Sequence, residues 1–155
     1  HSYGAFGIVN PMAAMAEAVR GIYAIKVPAE PKTTYAASVV SGGTSVNAIP
    51  DLVTLEVDMR SPDPAALRQL ETDLMAAVEA GVAAENAARS VRTGAISFEP
   101  KLIGDRPAGT TPPDHALVRD ALAASKAAGF AARLDESSTD ANIPMSLGIP
   151  ALTIG

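Results

Sequence analysis

Two histidines, His1 and His115, are the obvious candidates for chemistry, and the residues around each decide what it can do. A zinc centre takes about three or four His, Asp, Glu or Cys donors at set spacings. Here the histidines lie far apart, neither His-x-Asp nor His-Glu-x-x-His occurs, and cysteine is absent. The chain by itself is therefore expected to hold no metal. A Ser-His-Asp hydrolase would present its nucleophile in Gly-x-Ser-x-Gly; that pattern is missing too, and capping of a helix start accounts for both Asp114 and His115. Three polar positions remain. His1 opens HSYGAFG and, taken alone, reads as an exposed terminal imidazole. Asn47 lies in SGGTSVNAIPD, residues 41–51. That connection is longer than the roughly two to five residues that usually join consecutive strands. An Asn in such a loop often just holds a turn. Arg60 ends an alternating segment, where it reads as solvated or paired with a neighbour such as Asp58.

The elements that must position these residues are legible from periodicity. Met12, Met15, Ala16, Val19, Ile22 and Tyr23 recur at helical spacing over 11–27, with Asn10 as N-cap and Pro11 in the first turn. The helix should stop before Pro28. Tyr35–Val40 reads as a strand. In LVTLEVDMR, Val53, Leu55, Val57 and Met59 alternate with Thr54, Glu56, Asp58 and Arg60, which predicts a strand with one dry and one wet face. Asp63 and Pro64 open a second helix that turns Leu67, Leu70, Leu74 and Val78 inward and should fray near Gly81 or in the Ala-rich stretch beyond it. A further strand is expected over 90–99. Helix, strand, strand, helix, strand is one strand short of a βαββαβ unit, a ferredoxin-like two-layer sandwich. The expected fold is α+β, with a four-stranded antiparallel sheet truncated here to fewer strands. The missing strand is expected upstream of His1, so the chain reads as part of a longer protein.

Beyond Pro100 the texture changes. KLIGDRPAGTTPPD is rich in Gly and Pro and reads as a linker. A helix over 114–128 ending at Gly129, a short strand near 131–134, the polar ESSTDAN loop, a short helical turn and a final apolar strand in IPALTIG predict an α/β segment. The boundary is expected near residue 106, giving domains 1–105 and 106–155.

With 155 residues the chain suffices for one domain burying roughly 70 % of its unfolded surface. Aromatics make up only 4 %, with no Trp, so the core must be built from aliphatic residues and Ala. A net charge of -5 supplies no basic stripe, which argues against nucleic acid and anionic membranes as partners. No apolar run approaches the length of a spanning helix. The lack of cysteine leans weakly toward a cytoplasmic location.

The strings HSYGAFGIVNP, GGTSVNAIPDLVTLEVDMRSPD and ESSTDANIPMSLGIPALTIG, in that order, resemble the zinc-dependent aminoacylase/carboxypeptidase G/peptidase T family of co-catalytic exopeptidases and amide hydrolases. The resemblance spans essentially the whole chain. It implies that 1–105 is the lid or dimerisation domain and that 106–155 is a part of the catalytic domain resuming after it. It further implies a homodimer, a small peptide or N-acyl amino acid substrate, and two zinc ions in the parent enzyme, held by residues outside this chain. Position by position, His1 matches a lid histidine that reaches the partner's active site and stabilises an oxyanion. Asn47 matches a loop amide that touches substrate, and Arg60 an arginine that grips the substrate carboxylate. Ser138, Thr139 and Asp140 match a loop beside the substrate. The isolated chain is then expected to be inactive. The alternatives from other classes are a non-catalytic self-association module and a small-molecule-binding module of the same sandwich shape.

Overall fold

A computed structural model describes residues 1–155. The elements in chain order are α1 (Pro11–Ile22), β1 (Thr34–Gly42), β2 (Val53–Arg60), α2 (Pro64–Ala88), α3 (Ala116–Ala127) and α4 (Asn142–Ser146). They divide into two compact units, His1–Lys101 and Leu102–Gly155. The class is α+β, as the sequence predicts.

Both long helices of the first unit begin with an Asx-Pro pair. Asn10 accepts a hydrogen bond from Met12 N–H at 2.9 Å and Asp63 one from Ala65 N–H at 2.8 Å, each satisfying a donor that has no intrahelical partner. The proline that follows supplies no N–H and a helical φ. α1 ends at Ile22, short of the expected 27. Ala24 and Ile25 close i→i+3 bonds to Gly21 and Ile22, and Tyr35 Oη then donates to the Ile25 carbonyl at 3.1 Å, which draws the chain off the helix axis. Tyr23 and Tyr35 pack with ring centroids 5.7 Å apart.

The packing of α1 on α2 agrees with the expected stripe at Ile22 and differs from it at Met12 and Ala16. Ala14, Ala18 and Ile22 are the buried positions of α1, whereas Met12 is 40 % exposed and Ala16 is exposed. The reason lies on the facing helix. At Gly81 the two backbones approach so closely that a Cβ would lie 2.6 Å from Ala18 N and 2.8 Å from Ala14 O. One turn away, a Cβ on Gly21 would lie 3.2 Å from Ala77 Cβ. Small residues are therefore the interface, and α2 continues through Gly81 and ends at Ala88, in the Ala-rich stretch beyond it. Fully burying side chains such as Ile22 and Leu70 contributes about 1.5–3 kcal/mol each. At the far end Glu85, itself buried, accepts from Asn10 N–H at 2.9 Å, placing a carboxylate at the N-terminus of α1 where the helix dipole favours it.

β1 and β2 form an antiparallel pair, and β2 alternates half-buried and exposed along its whole length, as expected. A one-residue bulge at Ser38 shifts the register, so Val39 opposes Glu56 and Val40 opposes Leu55, both valines being exposed. Tyr23 Oη accepts from Ala37 N–H beside the bulge at 3.2 Å.

The sheet has two strands, and the third one expected within these residues is absent. Residues 90–99 form no ladder beyond the isolated bridge of Ser90 with Ile8, because the Asn86 amide takes both backbone groups of Ile96, each at 2.8 Å. In the second unit, α3 is capped by His115, whose Nδ1 accepts from Leu117 N–H at 3.2 Å, and closes on Gly129 at φ +86° with Phe130 N–H bonded back to Ser125 O. The expected strands at 131–134 and in 149–154 do not form. Thr111 Oγ1 occupies both the N–H and the C=O of Ala151, at 2.9 and 2.6 Å, as a neighbouring strand would.

The Gly81 contact yields a stability test. A methyl added there meets backbone atoms that move only if the helices part, an overpacking cost of about 1–3 kcal/mol. The gain in helix propensity offsets at most about 1 kcal/mol. Gly81→Ala is thus expected to lower Tm by several degrees in thermal unfolding; a Tm equal to or above that of the parent chain would contradict the close approach.

Candidate functional site

The loop between β1 and β2 starts from a glycine that no other residue replaces. Gly42 has φ +133°, and a Cβ there would lie 2.6 Å from Leu52 O and 2.8 Å from Val53 Cα. Gly43 follows at φ +84°. The loop then folds on itself through Ala48 N–H to Ser45 O at 3.3 Å, with Ser45 Oγ donating to Asn47 Oδ1 at 2.7 Å. Behind it, a shallow groove of about 450 Å³ lies against the start of α1, lined by Met12, Val46 and Pro50 among others.

This loop meets the N-terminal turn. Ser2 N–H donates to Asn47 O at 2.9 Å, and Asn47 Nδ2 lies 3.2 Å from His1 Nε2. His1 is held from the other side by Tyr3 N–H, 3.3 Å from Nδ1, while its carbonyl accepts from Ala5 N–H. Two residues 46 positions apart in sequence thus converge, both exposed to solvent. Their protons follow from chemistry. With Nδ1 an acceptor for Tyr3 N–H, the neutral imidazole carries its proton on Nε2, the nitrogen that faces Asn47. It bonds to Asn47 when the amide turns its oxygen to the ring, and Ser45 Oγ then accepts from Nδ2 as readily as it donates to Oδ1. The result is a solvent-exposed imidazole–amide pair whose polar groups bond to each other and to Ser45.

Arg60 is placed elsewhere. It ends β2, and the strand's length, about 23 Å at the usual rise per residue, separates it from Val53 at the loop end. Its Nε donates to Asp58 Oδ2 at 2.7 Å, the neighbour pairing foreseen from the sequence, and both side chains are more than half exposed. Such a pair contributes about 0–1 kcal/mol and leaves both Nη groups open to a ligand.

Ser138, Thr139 and Asp140 lie together in the second unit, ahead of α4. Thr139 anchors the turn: its N–H donates to Asn142 Oδ1 at 2.9 Å and its Oγ1 accepts from Ala141 N–H at 3.3 Å and from Thr153 Oγ1 at 2.8 Å. The sequence reading did not anticipate Arg106, whose Nη2 lies 3.2 Å from Asp140 Oδ1 and whose Nη1 lies 3.5 Å from Ser138 Oγ. It stands in the Gly/Pro-rich stretch taken for a linker, and no periodicity marks it. No group of three or more His, Asp or Glu is arranged to hold a metal ion. No helix is long and apolar enough to cross a membrane.

A comparison with curated proteins gives no match. The family model described as peptidase dimerisation domain matches residues 1–86, which takes in α1, the β1–β2 hairpin, most of α2, and His1, Asn47 and Arg60. That is more than half of the chain: it belongs to the M20 peptidase dimerisation-domain family and supplies the dimerisation part of a peptidase.

Proposed function

We propose that the chain works within a homodimeric zinc-dependent exopeptidase or amide hydrolase of the aminoacylase/carboxypeptidase G/peptidase T type, acting on small peptides or N-acyl amino acids. The two zinc ions belong to residues outside this chain and would supply the hydrolytic centre. Residues from about 106 onward would be part of the catalytic domain. The observation that carries this reading is the convergence of His1 and Asn47, both exposed, where the glycine-based loop meets the N-terminal turn.

When water adds to an amide carbon, negative charge develops on the former carbonyl oxygen. Fixed N–H groups stabilise that charge without having to reorganise, and they act on a charge absent from the ground state. His1 Nε2–H and the Asn47 amide are of the right type for this task. They bond to each other in the free chain, and an arriving oxyanion would take the place of that mutual contact. Arg60, with a planar fork engaged only through Nε, suits a substrate carboxylate. A small substrate cannot reach from the hairpin loop to Arg60 along one chain, so both contacts fall on one molecule only if two chains contribute. The second unit buries Val118 yet exposes Leu102, Ile103, Phe130, Leu147 and Ile154. This favours its packing on further structure, as a part of a catalytic domain would. Ser138, Thr139 and Asp140 would border the substrate there.

Kinetics on the full-length protein separate the roles. His1→Ala or Asn47→Ala is expected to lower kcat about 10²- to 10³-fold, the cost of one lost oxyanion donor. Arg60→Ala is expected to raise KM for a carboxylate-bearing substrate about tenfold to a hundredfold, as the loss of a charged hydrogen bond of roughly 1.5–3 kcal/mol implies. Unchanged kcat in the His1 and Asn47 variants would sink the oxyanion role; unchanged KM in the Arg60 variant would sink the carboxylate role.

A further inference from the structure

The stretch from Arg106 to Thr111 is clamped to the residues around α4 at several points. Thr111 Oγ1 holds both backbone groups of Ala151, and Asn142 Nδ2 donates to Pro107 O at 3.2 Å. Between them, Gly109 lies so close to α4 that a Cβ would meet Met145 Cβ and Ser146 N, each at 2.6 Å. The strap is thus fixed at its middle and its end, and its first residue, Arg106, is delivered to the 138–140 loop. There the guanidinium reaches the only two side chains of that loop left free by the internal bonds of Thr139: Ser138 Oγ at 3.5 Å and Asp140 Oδ1 at 3.2 Å.

The Asp140 side chain is fully exposed and that of Arg106 is 42 % exposed. An ion pair so open to water contributes little to folding. What it can do is bias direction, because the guanidinium of a clamped strap offers Ser138 Oγ and Asp140 Oδ1 a charged partner on one side of their loop. We propose that Arg106 is a positioning residue, which orients Ser138 and Asp140 toward the substrate from the 106–111 strap. This rests on the reading that the 138–140 loop borders the substrate.

The test uses the full-length protein with Arg106→Gln, Arg106→Lys, Ser138→Ala and Asp140→Asn, followed by amide hydrogen exchange and by kcat and KM. Arg106→Gln is expected to speed exchange of the Thr139 and Ala141 amides about two- to fivefold with Tm unchanged. It should lower kcat/KM about tenfold to a hundredfold, the scale of a displaced contact group, with partial recovery in Arg106→Lys. Exchange at 139–141 that ignores Arg106→Gln overturns the positioning role, even if Ser138→Ala and Asp140→Asn impair activity. Faster exchange with full kcat/KM in all four variants overturns the placement of the loop beside the substrate, and the proposal with it.

Discussion

The first unit depends on how closely α1 can approach α2. Gly81 lets the backbones come within contact of Ala14 and Ala18, and everything on the far side is set from there. With α1 seated, Glu85 near the end of α2 reaches Asn10 N–H, and Ser90 exchanges backbone bonds with Gly7 and Val9. Residues 7–10 are thereby tied to the end of α2, which fixes the turn that carries His1. The same two helices back the dry face of β2, whose hairpin carries Asn47. A contact between two glycine- and alanine-lined helix faces thus decides whether an imidazole and an amide from distant parts of the chain can meet.

A second device recurs in both units: a polar side chain replaces a strand. Asn86 satisfies Ile96, and Thr111 satisfies Ala151, each by taking the N–H and the C=O together. Backbone polar groups must be partnered when they are withdrawn from water, and a carboxamide or hydroxyl does this at the cost of one residue rather than a whole strand. These apolar stretches consequently run as ordered, unpaired segments.

The parts of the fold legible in the sequence are those encoded locally. The alternation of β2, the caps Asn10, Asp63 and His115, the stop at Gly129 and the Arg60–Asp58 pair all follow from neighbours within a few residues. The rest required knowing what lay across a gap. Of the apolar stripe expected on α1, Ile22 is buried; Ala14 and Ala18 join it because Gly81 faces them, whereas Met12 and Ala16 are exposed. The strands anticipated at 90–99 and 149–154 were displaced by single side chains with no sequence signature. Of the candidate site, His1, Asn47 and Arg60 were identified as polar residues in positions that chemistry can use, whereas their convergence or separation is tertiary. Arg106 was hidden in a stretch whose Gly and Pro content describes a linker equally well.

Under the proposed function, dimerisation would give these placements a use: with the His1–Asn47 pair at one end of a hairpin and Arg60 at the other, a small molecule would be surrounded only by two copies of the chain together. Subunit mixing tests this most directly. Full-length His1→Ala protein is combined with full-length protein inactivated at the hydrolytic centre outside these residues, under conditions that allow subunit exchange. Hybrid dimers then contain one reaction centre with both an intact metal site and a partner's intact His1, so two inactive preparations should regain activity on exchange. Persistent inactivity, with hybrid dimers demonstrated in the mixture, would contradict the claim that His1 acts in the neighbouring subunit.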